Sequence, residues 1–172
     1  MNEGKSMYQE PKTTHICLHP GELVTGTSEC RIHVLLGSCV SIVLWHPDTK
    51  IGVMSHAVVP TRVGKRGFPL DPRYSDEVLT LMVLNLEMHG IQPKECWARI
   101  YGGSSLHFPT PEHPHLKDIG KRNGEIARKQ LADYGIAIRG ESLFGSCYRK
   151  LVFDIATGRV SERRMDENGN PL

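Results

Sequence analysis

The stretch Leu35-Leu-Gly-Ser-Cys-Val-Ser-Ile-Val-Leu-Trp-His-Pro-Asp48, followed by Ile51-Gly-Val-Met-Ser-His-Ala-Val-Val-Pro60, decides the fold. Its two β-rich runs, 40–45 and 51–59, are apolar at odd and even positions alike, which is typical of strands covered on both faces. The turn residues between the runs indicate a hairpin. The stretch therefore predicts a layered architecture.

Further strands and two helices lie on either side of this hairpin. One helix is expected to begin at Ser75, which can cap it, and to end at Gly90. A second is expected from about Ile119 to Tyr134, with Gly135 as its stop. The buried stripes are predicted at Leu79, Met82, Val83 and Leu86 and at Ile126, Ala127, Gln130, Leu131 and Tyr134. The other predicted strands are 16–18, 31–36, 96–101, 136–139, 150–155 and 159–165, the last two joined as a hairpin around Ala156-Thr-Gly158.

This element order predicts an α+β fold built as a layered sandwich. A length of 172 residues is that of one ordinary domain. We expect a flexible N-terminal tail over 1–14, one domain over 15–166 and a solvated C-terminal tail over 167–172.

Composition excludes several classes of protein. Hydrophobic residues make up 39% of the chain, with no apolar run near the ~20 residues of a membrane span. The net charge of +2 is spread along the chain, so nucleic acid is not an expected partner. The N-terminus lacks the parts of a secretory signal. Five cysteines at irregular spacing fit reduced thiols, and hence a cytoplasmic protein.

Cys39 and His56 form a candidate catalytic pair. If the hairpin turns between Pro47 and Asp48, paired positions sum to 95 and Cys39 lies opposite His56, with Cβ atoms roughly 4.5–5.5 Å apart. The other interpretation is that Cys39 is a small buried hydrophobe and His56 a satisfied core histidine. The register itself depends on the absence of a bulge.

A neighbouring imidazole is what a nucleophilic thiol requires, because it can take the thiol proton and later protonate a leaving ammonia. The turn Gly37-Ser38 can leave backbone N–H groups, including that of Cys39, free to stabilise an oxyanion. The remaining cysteines have no histidine at a spacing that predicts a contact, so we expect buried or inert thiols at Cys17, Cys30, Cys96 and Cys147.

The motifs resemble the CheD family of chemotaxis proteins. The resemblance rests on the two stretches quoted first, and on further landmarks in the same order. These landmarks are Leu18-His-Pro-Gly-Glu22, Gly102-Gly103, Ile119-Gly-Lys-Arg-Asn123 and the segment from Arg149 to Gly158. Together they cover roughly Ile16 to Met165.

The resemblance implies a cysteine-dependent protein-glutamine glutaminase acting on chemoreceptors, with Cys39 as nucleophile and His56 as base. It implies an α/β/β sandwich related to bacterial toxin deamidases. The implied partners are chemoreceptor cytoplasmic domains and, in many members, a CheC-like phosphatase. It implies no metal or organic cofactor.

The sequence departs from the family pattern at two places. His33 stands where the family commonly has a threonine as third catalytic member, so His33, Ser38 or a backbone carbonyl is left to orient His56. After Gly103 the family usually continues Ala-x-Met-Phe, whereas this chain reads Ser-Ser-Leu-His107 and then a longer His/Pro segment to His115. Gly102, Gly103 and Ser104 are substrate or pocket candidates. In the 107–115 loop, prolines hold the chain extended, which favours a substrate or partner loop over a metal site.

Three functions are consistent with these patterns. The first is deamidation of chemoreceptor glutamines. The second is a binding module of the same fold that docks to chemoreceptors or to a CheC-like phosphatase, which the departure at His33 keeps open. The third is a thiol hydrolase with another amide substrate.

Overall fold

A computed structural model of the chain describes residues 13–64, 68–106 and 119–172. The residues up to Ser55 contain strands alone, whereas helices and strands are interleaved from Ser75 onward. The strands are β1 Thr14–Cys17, β2 Leu23–Gly26, β3 Cys30–Leu36, β4 Val40–His46, β5 Ile51–Ser55, β6 Trp97–Gly102, β7 Ala137–Leu143, β8 Tyr148–Asp154 and β9 Arg159–Met165, and the helices are α1 Ser75–Met88 and α2 Ile119–Asp133, with a short 3-10 turn at Pro93–Glu95.

The strands form two sheets. A five-stranded sheet has the order β2-β5-β4-β6-β7, and a four-stranded sheet has the order β1-β3-β8-β9. Most neighbours are antiparallel, while β1 with β3 and β6 with β7 are parallel. The predicted hairpin of β8 and β9 is confirmed, with Asp154 paired to Arg159.

Three layers result from the way in which β4 distributes its side chains. Val40, Ile42 and Leu44 pack in one cluster with the buried residues of α1 and α2. Val43 and Trp45 pack in a second cluster with residues of the four-stranded sheet. All seven residues of β4 are buried, which confirms that this strand is covered on both faces. The helices, the five-stranded sheet and the four-stranded sheet thus stack in that order as an α+β sandwich.

The two helices lie close to where the sequence predicts them. Gly135 follows α2 with a φ of +67°, which suits its predicted role as a stop. The capping prediction for Ser75 is wrong. Tyr74 occupies the N-cap, and Ser75 is the first helical residue, with its buried hydroxyl donating to Asn123 Oδ1 at 2.8 Å.

The register of the β4–β5 hairpin differs from the prediction by two residues. Val43 pairs with Met54 and His46 with Ile51, so paired positions sum to 97 instead of 95. A two-residue loop would need a positive φ at Pro47, which the proline ring forbids. The chain instead forms a four-residue loop with Lys50 at a φ of +53°. A shift of two preserves which face each residue occupies.

One edge strand differs from the prediction. β2 has no counterpart among the predicted strands. The C-terminal segment folds back, since Asp166 accepts hydrogen bonds from the N–H groups of Asn168 and Asn170, and the Leu172 N–H donates to the Arg164 carbonyl. The predicted N-terminal tail lies outside the described residues up to position 12.

Candidate active site

Cys39 follows a tight turn that carries the chain from β3 into β4. The three consecutive carbonyls of Gly37, Ser38 and Cys39 each accept a hydrogen bond. The donors are the Ser104 N–H at 2.9 Å to Gly37, Asn123 Nδ2 at 3.1 Å to Ser38 and the Gly103 N–H at 2.9 Å to Cys39. The turn is therefore fixed at every peptide unit that precedes and follows the thiol.

Glycine is required at position 102 because the backbone there touches the Cys39 turn, residues 37–39. Gly102 has a φ of +107°, and a Cβ at this position would lie 2.1 Å from the Cys39 carbonyl oxygen. A Cβ at Gly103 would lie 2.7 Å from the Gly120 carbonyl oxygen of α2. The Gly-Gly pair thus lets β6, the Cys39 turn and α2 approach one another at backbone distance.

His56 is held by the turn between β1 and β2, which contains the Leu18-His-Pro-Gly-Glu22 motif. Its backbone N–H donates to the Glu22 carbonyl at 2.9 Å, and its carbonyl accepts from the Gly21 N–H at 2.8 Å. Its ring Nδ1 lies 3.4 Å from the Leu18 carbonyl. Because a carbonyl only accepts, Nδ1 carries the hydrogen, which leaves Nε2 as the basic nitrogen.

The thiol and the imidazole share the face of the five-stranded sheet that packs on the other sheet. The register that pairs Val43 with Met54 aligns His56 with Ser41, so Cys39 is a diagonal neighbour of His56. Diagonal neighbours have Cα atoms roughly 7–8 Å apart, within reach of an imidazole. Within the described part of the chain, no hydrogen bond joins this thiol to this ring.

Burial gives the two groups opposite pKa shifts. It raises the pKa of the half-buried Cys39 thiol, an effect partly offset by the backbone N–H of Cys39 itself. It lowers the pKa of the His56 imidazole, and the Leu18 carbonyl and Glu22 partly offset this. At neutral pH the site therefore contains a neutral thiol beside a neutral imidazole that can accept its proton.

His33 is not brought to this pair. Ile32, Val34 and Leu36 of β3 point into the space between the sheets, so His33 lies on the outer face of the four-stranded sheet. Its Nε2 lies 2.8 Å from Nδ1 of His15. The structure contradicts the expectation that His33 could orient His56, because strand alternation places the His33 side chain on the other face. The Leu18 carbonyl lies against the His56 ring in its place.

Cys17 is a second correction, because it does have a histidine neighbour. The parallel pairing of β1 with β3 sets Cys17 beside His33 on the exposed outer face. The sequence separation of 16 residues gives no sign of this contact, which arises from a connection that passes through β2.

The three residues predicted as substrate or pocket candidates support the Cys39 turn. Gly102, Gly103 and Ser104 are buried. The hydroxyl of Ser104 donates to the Cys147 carbonyl at 2.6 Å and lies 2.5 Å from Nη1 of the buried Arg149. A cavity of about 380 Å³ begins at the next residues and is lined by Ser105, Leu106, Ser146, Tyr148, Asp166, Glu167, Asn168 and Leu172.

Asn123, which the sequence marks only as part of the landmark Ile119-Gly-Lys-Arg-Asn123, contacts the turn before Cys39. It lies on the same stripe of α2 as the buried Gly120, Ala127 and Leu131, and it is itself fully buried. A polar side chain on a buried stripe must find hydrogen-bond partners. A polar residue on a buried helical stripe was therefore the feature of the sequence that pointed to the contacts of Asn123.

In the part of the chain that the structure describes, no group of three or more His, Cys, Asp or Glu side chains could hold a metal ion. The predicted substrate or partner loop at 107–115 lies outside the described residues. Neither described helix is long and apolar enough to cross a membrane.

Fold and site together define a layered α+β domain with a half-buried thiol and a buried imidazole on one sheet face. Comparison with known proteins narrows this class. The family model for CheD chemotactic sensory transduction matches residues 59–164. The chain belongs to the CheD family, which confirms the resemblance seen in its motifs.

Two relatives and one solved structure illustrate the similarity. "Probable chemoreceptor glutamine deamidase CheD 2" of Albidiferax ferrireducens is 43% identical over 155 residues, covering 90% of this chain and 89% of the relative. "Probable chemoreceptor glutamine deamidase CheD 1" of Chromobacterium violaceum is 38% identical, covering 92% and 81%. The crystal structure of Bacillus licheniformis hypothetical protein YfiH aligns at a TM-score of 0.46 and 14% identity, covering 81% of this chain and 61% of that chain.

Proposed function

We propose that this protein is a cysteine-dependent deamidase that converts glutamine side chains of chemoreceptors to glutamate and releases ammonia. The observation that carries the proposal is the half-buried Cys39 thiol, on a fastened turn, on the same sheet face as His56. The relatives are named "Probable chemoreceptor glutamine deamidase", which supports the substrate.

In the first step the Cys39 sulfur attacks the glutamine carboxamide carbon while Nε2 of His56 takes the thiol proton. A C–S bond forms, and the carbonyl π electrons move to oxygen. His56 then returns the proton to the departing nitrogen, the C–N bond breaks and ammonia leaves. A thioester between Cys39 and the receptor side chain remains.

In the second step water resolves the thioester. His56 accepts a proton from the attacking water, and a second tetrahedral species collapses with cleavage of the C–S bond. The proton on His56 returns to the Cys39 sulfur. The products are a receptor glutamate and the free thiol, so no other reactant than water is consumed.

The resting pair is expected to be neutral, because burial disfavours both the thiolate and the imidazolium. Proton transfer would then accompany attack on the substrate instead of preceding it. Substrate binding must also bring the diagonal thiol and imidazole into hydrogen-bond distance, which a rotation about the Cα–Cβ bond of Cys39 can supply.

Partners and cellular location follow from the same proposed function. We infer that the protein works in the cytoplasm on chemoreceptor cytoplasmic domains, with a CheC-like phosphatase as a further partner. We also infer that its α/β/β layering is that of the CheD and toxin-deamidase type. A glutamate in place of glutamine adds one negative charge to the receptor surface, which alters helix packing there.

The proposal is tested by incubating the protein with receptor cytoplasmic fragments and following ammonia release together with amide-to-acid conversion by mass spectrometry. Cys39→Ala is compared with Cys17→Ala, a matched loss of a thiol on the outer sheet. We expect the wild type and Cys17→Ala to convert glutamine and release equimolar ammonia, and Cys39→Ala to do neither.

Equal inactivity of the wild type and Cys39→Ala on every receptor fragment, with binding intact, contradicts the proposal. That outcome supports a binding module of the same fold. Activity of the wild type on small amides alone supports a thiol hydrolase with a different substrate.

A further inference from the structure

Asn123 is the fifth residue of α2 and has no exposed surface. The start of the helix closely approaches the segment after β6, since a Cβ at Gly120 would lie 2.5 Å from the Ser104 carbonyl oxygen. A polar side chain is costly to bury here unless its hydrogen bonds are made. The position therefore selects for an amide with defined partners.

All the polar atoms of the Asn123 side chain are engaged. Nδ2 donates to the Ser38 carbonyl at 3.1 Å and to the Val58 carbonyl at 3.0 Å. Oδ1 accepts from the Ser75 hydroxyl at 2.8 Å. Two carbonyl partners require two N–H groups, so the orientation of the amide follows from its neighbours. One side chain thus joins the residue before Cys39 to the residue two positions after His56.

The contact with Ser38 also fixes the direction of the next N–H. Ser38 C=O and Cys39 N–H belong to one planar trans peptide and point in opposite directions. Because the carbonyl points to the helix layer, the N–H points away from it, to the face on which the Cys39 thiol lies. In agreement, the Cys39 N–H partly offsets the raised pKa of the Cys39 thiol.

We propose that Asn123 is a positioning residue whose side-chain amide, held between the Ser38 and Val58 carbonyls, aims the Cys39 N–H as an oxyanion donor and keeps the Cys39 turn in register with the His56 segment. The inference rests on the proposed function for its substrate. The proposed role of Asn123 applies to any carbonyl group that Cys39 attacks.

The test pairs Asn123→Asp with Gln130→Glu. Asn123→Asp keeps the size and the acceptor for Ser75 but removes both donated hydrogens. Gln130→Glu makes the same amide-to-acid change elsewhere on α2, where Nε2 donates to the Asp76 carbonyl at 2.6 Å. The pair therefore separates loss of a helix contact from loss of the Ser38 contact.

Two reagents report on Cys39 without turnover. Iodoacetamide alkylates the thiol by displacement and forms no oxyanion. A peptide aldehyde, with its carbonyl where glutamine has its carboxamide, adds the thiol reversibly to give a tetrahedral oxygen that needs the donor. In Asn123→Asp we expect aldehyde affinity and kcat to fall by about 10–100-fold, because a misplaced donor loses most of its effect. Alkylation rate and KM should stay within about twofold of the wild type.

Gln130→Glu should leave aldehyde affinity unchanged. The proposal is overturned if aldehyde affinity and alkylation rate fall together in Asn123→Asp, which indicates general disorder of the turn. It is also overturned if the two acid variants behave alike, or if the wild type does not bind the aldehyde. Should Asn123→Asp not fold, Ser75→Ala replaces it, and an aldehyde affinity equal to wild type then counts against the proposal.

The outcomes distinguish this inference from the proposed function. Selective loss of aldehyde affinity in Asn123→Asp, with a wild type that leaves receptor glutamines unchanged, supports Asn123 and contradicts the receptor substrate. Receptor deamidation by the wild type and by Asn123→Asp at equal rates supports the function and contradicts the role of Asn123.

Discussion

Two cysteine–histidine pairs lie on different sheets of this domain. Cys17 and His33 are direct cross-strand partners on the exposed face of the four-stranded sheet. Cys39 and His56 are only diagonal neighbours, yet they lie between the sheets. Judged by register alone, the outer pair is better placed.

The surroundings of the two pairs reverse that ranking. The pKa of His33 is lowered by partial burial and then by the nearby charged groups His15, Lys150 and Arg31. The ring of His56 is instead oriented by a hydrogen bond to the Leu18 carbonyl. The outer thiol lies within a strand, whereas the inner thiol follows a turn whose carbonyls are all bound. Catalysis by a thiol needs an oriented base and a fixed oxyanion site, and pairing alone supplies neither.

Removing the inner base should have the largest effect. His56→Ala is expected to lower kcat/KM for receptor deamidation by about 10²–10⁴-fold, because general acid–base catalysis is lost. His15→Ala, which removes a histidine from the outer face, is the control and should remain near wild type. Steady-state ammonia release measures both, and equal loss in the two variants would remove the distinction between the faces.

The next largest effect is expected at Gly102, where the backbone of β6 touches the Cys39 carbonyl. Gly102→Ala places a Cβ against the Cys39 carbonyl at a φ of +107°, and should destabilise the protein by about 3 kcal/mol, the upper end for a strained residue. Gly90→Ala has a φ of +72° in open space, and should cost about 1 kcal/mol. Urea unfolding compares the two, and equal costs would mean that the turn can move aside.

The pH dependence separates the inner pair from a preformed ion pair. The pKa of His56 is lowered, so the base stays unprotonated to a lower pH than a free imidazole, and the acidic midpoint of kcat/KM should fall below pH 6.5. His33→Ala should not move this midpoint. A midpoint above 6.5 in the wild type would instead indicate an imidazolium stabilised by a thiolate.

The smallest effect is expected on the outer face. His33→Thr introduces the residue that the resemblance to the family implies at this position, but the new hydroxyl would still lie on the outer face of β3. Deamidation kinetics should therefore stay within about twofold of wild type, as for a surface substitution. A large gain in kcat would show that position 33 does communicate with His56.

Much of the fold could be predicted from local patterns. Apolar runs on both parities marked β4 and β5 as covered strands, and the stripe at Leu79, Met82 and Leu86 marked α1. β2 was missed because it is a four-residue edge strand that is only half-buried over most of its length. The hairpin register was missed by two residues, although the inability of Pro47 to adopt a positive φ was available in the sequence.

The candidate site could be predicted only in part. The shared face of Cys39 and His56 follows from strand alternation, which survives a shift of two. Position 33 could not be assigned from its distance to Cys39, because the chain changes sheet at the turn between them. The contacts of Asn123 join segments 85 and 65 residues away, so only its place on a buried stripe gave a hint.

The most direct test of the inner pair is to capture the covalent intermediate. The protein is mixed with a receptor fragment, quenched in acid during turnover and digested, and the peptides are analysed by mass spectrometry. We predict an adduct equal to the receptor peptide less one ammonia on the peptide that contains Cys39. Deamidation that proceeds without this adduct, or that continues in Cys39→Ala, would contradict the assignment of Cys39 as the nucleophile.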